Sequence, residues 1–322
     1  MDRIITVAFS PHRVETLPLA YEIMKDHDLI VLEEPYNKKF YQLLEDEVSS
    51  EEYITLGAYG FPVFEKNFIK ILKELYKKGK KILQIEPYLE KVAYIQEKIA
   101  NSTNIEDIIN TPELKKIFDI ENEATGKLLN YYKASVGTDF KKIINAVKEF
   151  AKVDAKRFRI RDFLRAKAIL SILPEKGKIY IEAGVIHLYF KKLLHLFLKN
   201  SKWKVRHKFL LREEIKKRTK KIRLFHPGEI LTLRYIFKLK EKPELEDLLS
   251  ARSLVYIKIV PKKELLPTEE EPFPHLAKEI KVIQMVNKLS FEDCETLYKK
   301  LFPIRDYEEA FKVVEKFLNK KY

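Results

Sequence analysis

The sequence predicts an α/β fold with a mostly parallel sheet core flanked by helices, a helical insertion, and a C-terminal extension that passes from α/β to helical. Two observations carry this prediction. The first hundred residues alternate short apolar runs with amphipathic helical patterns, and a strand-like run returns late, at residues 178–183. With 322 residues, of which 46% are hydrophobic, the chain is long enough to bury a substantial core.

The N-terminal elements follow one another in the order β-α-β-α-β. Residues 4–9, 29–32 and 81–85 are short apolar runs that predict strands. Residues 14–25 and 64–78 carry apolar side chains at helical spacing. Alternation of this kind is typical of a parallel sheet covered by helices.

The middle of the chain changes from alternating to helical and then returns to sheet. Residues 89–150 are polar and helical, which predicts an insertion. A strand at 178–183, a helix at 185–199 and a strand at 204–211 follow. We therefore predict an α/β domain over residues 1–226.

The C-terminal extension, residues 227–322, is predicted to contain two strands and then helices. The strands are expected at 231–237 and 254–260, where β-branched and aromatic residues cluster. A Pro- and Glu-rich segment, 261–274, predicts a linker, and two or three amphipathic helices fill 276–318.

The amino-acid composition limits the kinds of site and the cellular location that we expect for this protein. The single cysteine, Cys294, excludes an internal disulfide framework and a cysteine-rich zinc site. No apolar run is long enough to span a membrane and no signal peptide is evident, so we expect a cytoplasmic protein. Charged residues make up 34% of the chain and glycine is scarce, which favours a thermophilic source.

Titratable residues follow several of the predicted strands at the point where each strand ends. They are His12, Glu33, Glu34, Glu86, Glu182 and His187. Ligands bind outside the carboxyl ends of parallel strands, so these side chains are expected at one edge of the sheet. Imidazoles with a carboxylate suit a divalent transition metal such as Mn, Co or Zn, and a His–Glu pair can also activate water without a metal. The sequence leaves both chemistries open.

The order of these motifs resembles the TraB, PrgY and Tiki family and, more distantly, the erythromycin esterase and ChaN superfamily. The stretches that carry the resemblance are Phe9-Ser10-Pro11-His12, Ile30-Val31-Leu32-Glu33, Leu83-Gln84-Ile85-Glu86, Ile160-Arg161-Asp162-Phe163-Leu164-Arg165-Ala166 and Gly184-Val185-Ile186-His187. They span residues 4–211. Two positions depart from the family pattern: Phe9 stands in place of glycine, and Glu86-Pro87 in place of Asp-Arg.

The resemblance implies a parallel-sheet core and a hydrolytic site of His12, Glu33 and His187, with or without a metal. It implies support from Glu86, Arg161 and Asp162, with Arg161 as an anion clamp. Tiki relatives are metal-dependent peptidases, the esterase group acts on esters without a metal, and ChaN binds haem. The expected substrate is therefore a small molecule or a peptide.

A basic run at residues 202–223 supports a second class of function. With a net charge of +14, the chain favours an acidic partner such as nucleic acid or another polyanion. The candidate contacts in this run are Lys202, Lys204, Arg206, Lys216, Lys217, Arg218, Lys220, Lys221 and Arg223. A solvated, lysine-rich surface is the competing interpretation. A third possibility is a family member that keeps the fold and binds a small anionic ligand at the edge of the sheet.

Overall fold

A computed structural model describes residues 3–56, 60–101 and 104–321. The chain forms two compact units built from interleaved segments. Unit 1 comprises Met1–Phe118, Phe158–Arg218 and Glu264–Pro272. Unit 2 comprises Asp119–Arg157, Thr219–Lys263 and Phe273–Tyr322. Residues 119–157 thus group with C-terminal residues, and most of them belong to the helical insertion predicted at 89–150.

Unit 1 is built on a five-stranded parallel sheet, which confirms the predicted α/β fold. The strands are β1 (Arg3–Ser10), β2 (Leu29–Leu32), β3 (Lys81–Gln84), β4 (Gly177–Gly184) and β5 (Lys204–Phe209). Their order across the sheet is β3-β2-β4-β1-β5, so β4 lies between the first two strands of the chain. β1, β2 and most of β4 are buried, as expected of inner strands covered on both faces.

Helices cover both faces of this sheet. Those in unit 1 are α1 (Leu17–Met24), α2 (Phe40–Leu44), α3 (Ser50–Leu56), α4 (Pro62–Lys77), α5 (Pro87–Ala100), α6 (Ile105–Ile108), α9 (Leu188–Phe197) and α10 (Arg212–Thr219, whose last residue is assigned to unit 2). Helices α7 (Pro112–Ser135) and α8 (Phe140–Ser171) contribute residues to both units. One apolar core lies between the sheet and α1, α2 and α4, and a second lies between the opposite face and α8 and α9.

The described part of unit 2 is helical. Beside its parts of α7 and α8 it contains α11 (Pro227–Ile236), α12 (Pro243–Ile259), α13 (Pro274–Asn287), α14 (Phe291–Leu301) and α15 (Tyr307–Lys321). The strands expected at 231–237 and 254–260 are wrong, because these residues form most of α11 and the end of α12.

The local sequence explains the helices at these positions. α11 begins with a proline after a capping box between His226 and Glu229, and α12 also has proline in its first turn. α12 packs against α11, α13, α14 and α15 and is buried on most of its surface. A helix buried all round reads as a continuous apolar run, which periodicity does not distinguish from a buried strand.

No helix in the described ranges combines the length and apolarity needed to cross a membrane.

Candidate functional site

The carboxyl ends of β1, β2 and β4 bring three of the predicted residues together around Gly184. His12 follows β1, Glu33 follows β2, and His187 precedes α9. A β-carbon built on Gly184 would lie 3.3 Å from His187 Cδ2, 3.7 Å from Glu33 Oε2 and 3.8 Å from His12 Cε1. His12, Glu33 and His187 therefore converge, and the absence of a side chain at Gly184 leaves the space in which they meet.

Glu33 is the centre of a buried ion-pair network. Its Oε1 atom accepts hydrogen bonds from His187 Nε2 and Arg161 Nη2, both at 2.8 Å. Its Oε2 atom accepts from the Gly184 N–H at 2.5 Å and lies 3.5 Å from Arg165 Nη1. Burial alone would raise the pKa of Glu33, but the charges of His187 and Arg165 hold it well below its ordinary value.

His187 is a buried cation between two carboxylates. Its Nε2 donates to Glu33 and its Nδ1 pairs with Asp162 Oδ1, while Asp162 Oδ2 accepts from the Phe190 N–H at 2.9 Å. Burial would lower the pKa of His187, but the charges of Glu33 and Asp162 outweigh it and raise the pKa to about 9. At neutral pH the imidazole is thus protonated, with both nitrogens engaged.

Two arginines of α8 attach this network to the sheet. Arg161 Nε donates to Glu86 Oε2 at 3.0 Å. Arg165 Nε donates to the Ile85 carbonyl at 3.0 Å and its Nη2 to the Glu182 carbonyl at 2.7 Å, which ties the ends of β3 and β4 together. Arg165 was not predicted as a site residue, and its spacing of four residues from Arg161 is the available signal, since that spacing places both on one helix face.

Glu86 is fully buried and its second oxygen has no hydrogen-bond partner among the described residues. Burial raises the pKa of its carboxyl, and the charges of Arg161 and Arg165 only partly oppose this effect.

His12 and Glu182 form a second pair at the accessible side of the network. His12 Nε2 lies 3.4 Å from Glu182 Oε1, and the His12 side chain is 36% exposed. Glu182 Oε2 accepts from the Glu33 N–H at 3.1 Å, which orients the carboxylate. Burial would lower the pKa of His12, but its hydrogen bond to Glu182 and the nearby carboxylates raise it.

The backbone also fixes His12. Its φ angle is 51°, in the left-handed region, and its N–H donates to Ser10 Oγ at 3.1 Å. The Ser10 hydroxyl lies 3.1 Å from Thr16 Oγ1, so the loop is tied to the start of the following helix. A strained, hydrogen-bonded loop residue of this kind is typical of functional positions.

Two further carboxyls, Glu34 and Glu65, interact electrostatically with this pair. Burial and the charge of Glu182 raise the pKa of Glu34 to about 7. Burial and the charges of Glu34 and Glu182 raise the pKa of Glu65 to about 8. Both groups therefore exchange protons near neutral pH. Glu65 was not predicted, because it lies on α4, which follows no strand.

Phe9, which stands where the pattern of the TraB and Tiki family has glycine, lies away from this site. Phe9 is 1% exposed and stacks on Phe209 with ring centroids 4.7 Å apart, within the core beneath α8 and α9. Its side chain thus packs on the face away from α1 and α4, rather than blocking the space around Gly184.

The donor atoms do not favour the expected metal set of His12, Glu33 and His187. A protonated His187 has no lone pair to offer, and both Glu33 oxygens already accept hydrogen bonds. In the ranges that the structure describes, no group of three or more His, Cys, Asp or Glu side chains is arranged to hold a metal ion. Metal binding at these residues therefore stays a prediction.

The basic run divides between different environments. Lys202 precedes β5, and Lys204 and Arg206 are exposed on it. On α10, Lys216 is exposed, whereas Lys217 pairs with Glu214 at 3.3 Å and Arg218 pairs with Glu271 at 2.7 Å. The remaining predicted contacts belong to unit 2; they are Lys220, Lys221 and Arg223.

Comparison with known proteins finds a relative along nearly the whole chain. The sequence is 29% identical over 299 residues to an uncharacterized protein of Archaeoglobus fulgidus, covering 93% of this chain and 99% of that protein. No family model matches the sequence, and no solved structure matches it. The resemblance to the TraB and Tiki family consequently stays a prediction.

Proposed function

We propose that this protein is a hydrolase of ester or peptide bonds in which His12 is the general base. The observation that carries the proposal is the accessible His12–Glu182 pair beside two carboxyls, Glu34 and Glu65, that titrate near neutral pH. A base and an acid with pKa values near the working pH are what general acid–base hydrolysis requires. The resemblance to a superfamily of hydrolases points the same way.

In the proposed reaction, His12 takes a proton from a water molecule through Nδ1 while Glu182 holds Nε2. The water oxygen forms a bond to the substrate carbonyl carbon. Arg161, 22% exposed and held by Glu33 and Glu86, stabilises the negative charge on the carbonyl oxygen. The bond to the leaving alcohol or amine then breaks, and the leaving group takes a proton from Glu34 or Glu65.

Each buried partner has a separate role in this scheme. His187, Asp162 and Arg165 touch no substrate in this scheme. His187 and Arg165 hold the Glu33 carboxylate, and Asp162 holds His187. Glu33 in turn accepts from Arg161, and its backbone N–H donates to Glu182. The buried network therefore orients Arg161 and Glu182 before substrate binds, as buried residues behind an active site commonly do.

The test uses purified full-length protein, a panel of p-nitrophenyl esters and fluorogenic dipeptides, and the variants His12→Gln and His195→Gln. We expect His12→Gln to lower kcat by roughly 10²–10⁴ without changing the melting temperature. His195 is an exposed histidine outside the site, so His195→Gln is the matched control. Wild-type rates in His12→Gln, or no turnover of any substrate between pH 6 and 9, would contradict the proposal.

A second experiment tests whether the reaction requires a metal ion. We expect hydrolysis to persist after exhaustive chelation and the melting temperature to be unchanged by added Mn²⁺, Co²⁺ or Zn²⁺. Loss of activity on chelation, restored by one of these ions, would support a metal site in place of the proton-transfer scheme.

A further inference from the structure

Unit 1 contains a second concave site, a cavity of about 830 Å³ along one face of β1, β4 and β5. We call it the basic cleft. Its cationic lining comes from Arg3, Lys176 and Lys178, at the amino ends of β1 and β4, and from four residues in and before β5. Those four are Lys202, Lys204, Arg206 and Lys208. Among the described lining residues, two carboxylates, Glu22 and Asp26, stand against these seven cations.

Strand geometry explains the row of charges on β5. In the parallel register Lys204 pairs with Ile4, Arg206 with Thr6 and Lys208 with Ala8, so the three cations share one face of the sheet. The alternate residues Val205 and Phe209 pack into the core on the opposite face. β5 is one of the two edge strands of this sheet, and its cationic face is exposed. At about 3.3 Å per residue, successive cations lie about 6.6 Å apart.

These cations carry no neutralising partner. In the described parts of the chain, Lys176, Lys178, Lys202, Lys204, Arg206 and Lys208 form no ion pair with a carboxylate. By contrast, Lys217 and Arg218 on α10 are paired, and Glu22 is engaged by Lys25 at 2.5 Å. Clustered like charges repel one another and oppose folding. A row of unpaired cations along a cavity therefore favours an anionic ligand over the competing interpretation of a solvated, lysine-rich surface.

His27 is a buried residue of the basic cleft that is fixed by hydrogen bonds through both ring nitrogens. It lines the cavity but is only 6% exposed, with Nδ1 on the Ile23 carbonyl at 2.7 Å and Nε2 on Thr6 Oγ1 at 2.9 Å. Burial, together with the charge of Lys178, lowers its pKa. The floor of the cleft is thus neutral and hydrogen-bonded, and the positive charge lies on the rim, where phosphates can reach it.

We propose that the basic cleft binds the backbone of a single-stranded nucleic acid. A single line of evenly spaced cations fits one chain of phosphates, and seven cations exceed what one small anion can contact. No Phe, Tyr or Trp ring within residues 3–56, 60–101 and 104–321 lines the cleft, so base stacking is not part of the proposed binding mode. Binding is therefore governed by phosphate contacts and is independent of base sequence. This inference does not rest on the proposed hydrolase activity.

The test measures fluorescence anisotropy of labelled single-stranded RNA and DNA with full-length protein between 50 and 200 mM salt. The variant Lys204→Gln/Arg206→Gln/Lys208→Gln is compared with Lys312→Gln/Lys316→Gln/Lys320→Gln, which removes the same charge from exposed lysines outside the cleft and outside the basic run. We expect the first variant to bind at least about tenfold more weakly and to lose roughly 2 from the slope of log K against log salt. The second should bind nearly as wild type.

Three outcomes would overturn the proposal. Equal loss in both triple variants would mean that net charge alone attracts the nucleic acid. Tighter binding of duplex DNA, or of inorganic polyphosphate at equal phosphate concentration, would assign the cleft to another ligand. Undetectable binding of the wild type at 50 mM salt would exclude it. A melting temperature for the cleft variant at or above that of the wild type shows that the fold is retained.

Discussion

Glu33 illustrates, at the scale of one residue, how a buried charge is kept. Three cations surround it, His187, Arg161 and Arg165, and a backbone N–H completes its contacts. Removing one partner from such a buried network leaves an uncompensated charge, which costs more than the pair itself contributes. Since Glu33 and His187 are engaged with each other, the proposed reaction assigns proton transfer to His12, Glu34 and Glu65 instead.

The His187 pair predicts how stability depends on pH. A group whose pKa is raised from 6.5 to about 9 on folding contributes stability that is complete below pH 6.5 and is lost as pH rises to 9. The shift corresponds to about 3 kcal/mol. We expect the free energy of unfolding, measured with urea from pH 6 to 9, to fall across this range, and to fall less in His187→Gln.

The comparison with His187→Gln is necessary because other groups act in the same direction. The pKa values of Glu34 and Glu65 are raised on folding from 4.5 to about 7 and about 8, so their contributions to stability also fall as pH rises to those values. Only the difference between the two proteins belongs to His187. Parallel curves for wild type and variant over pH 6–9 would show that His187 is not a buried cation.

The proposed catalytic groups predict a bell-shaped dependence of rate on pH. The rate rises as His12 loses its proton, above its ordinary value of 6.5, and declines as Glu65 ionises with a pKa of about 8. If Glu65 is the acid, Glu65→Gln should lower kcat and remove the decline on the alkaline side. An unaltered alkaline limb in Glu65→Gln, together with its loss in Glu34→Gln, would assign the acid to Glu34.

At the scale of an element, helix α4 depends on a carboxylate far away in sequence. Its N-cap residue, Phe61, provides no side-chain cap, and the Val63 and Phe64 N–H groups donate instead to Glu264, at 2.9 and 2.8 Å. We expect Glu264→Ala to lower stability by about 1 kcal/mol, because two terminal N–H groups lose their acceptor. Thermal unfolding of Glu264→Ala measures the effect. Glu270→Ala is the control, because Glu270 is an exposed glutamate with no ion pair among the described residues.

The Glu264→Ala substitution also tests an electrostatic link between Glu264 and the candidate site. The charge of Glu264 helps to raise the pKa of Glu65, so Glu264→Ala should move the alkaline limb of the rate profile to lower pH. Equal melting temperatures for Glu264→Ala and Glu270→Ala would contradict the capping role. An unmoved limb would contradict only the electrostatic link.

The elements also show where prediction from sequence succeeds. Strands β1 to β5 are evident because each is a short apolar or alternating run between turns, and the rule for parallel sheets then places His12, Glu33 and His187 at one edge. The strand order, with β4 between β1 and β2, does not follow from local pattern. Arg165 and Glu65 were missed since their places depend on how α8 and α4 pack.

At the scale of the whole molecule, each unit takes its residues from segments that are far apart in sequence. The core of unit 2 joins Phe140, Ile143 and Ile144 of α8 to residues beyond 250, including Leu254 and Val282. Unit 1 takes in Glu264–Pro272, where Glu271 pairs with Arg218. A boundary at residue 226, as predicted from the sequence, therefore separates groups that pack together.

This organisation predicts the behaviour of a fragment ending at residue 226. The fragment keeps the sheet but exposes Phe140, Ile143 and Ile144 and removes the Glu264 cap from α4. Exposed apolar surface of this kind promotes association, and lost contacts lower stability. We expect fragment 1–226 to elute as aggregates in gel filtration, to bind a hydrophobic dye, and to unfold at lower urea than the full chain. A monomeric fragment with the urea midpoint of the full chain would instead establish residues 1–226 as an independent domain.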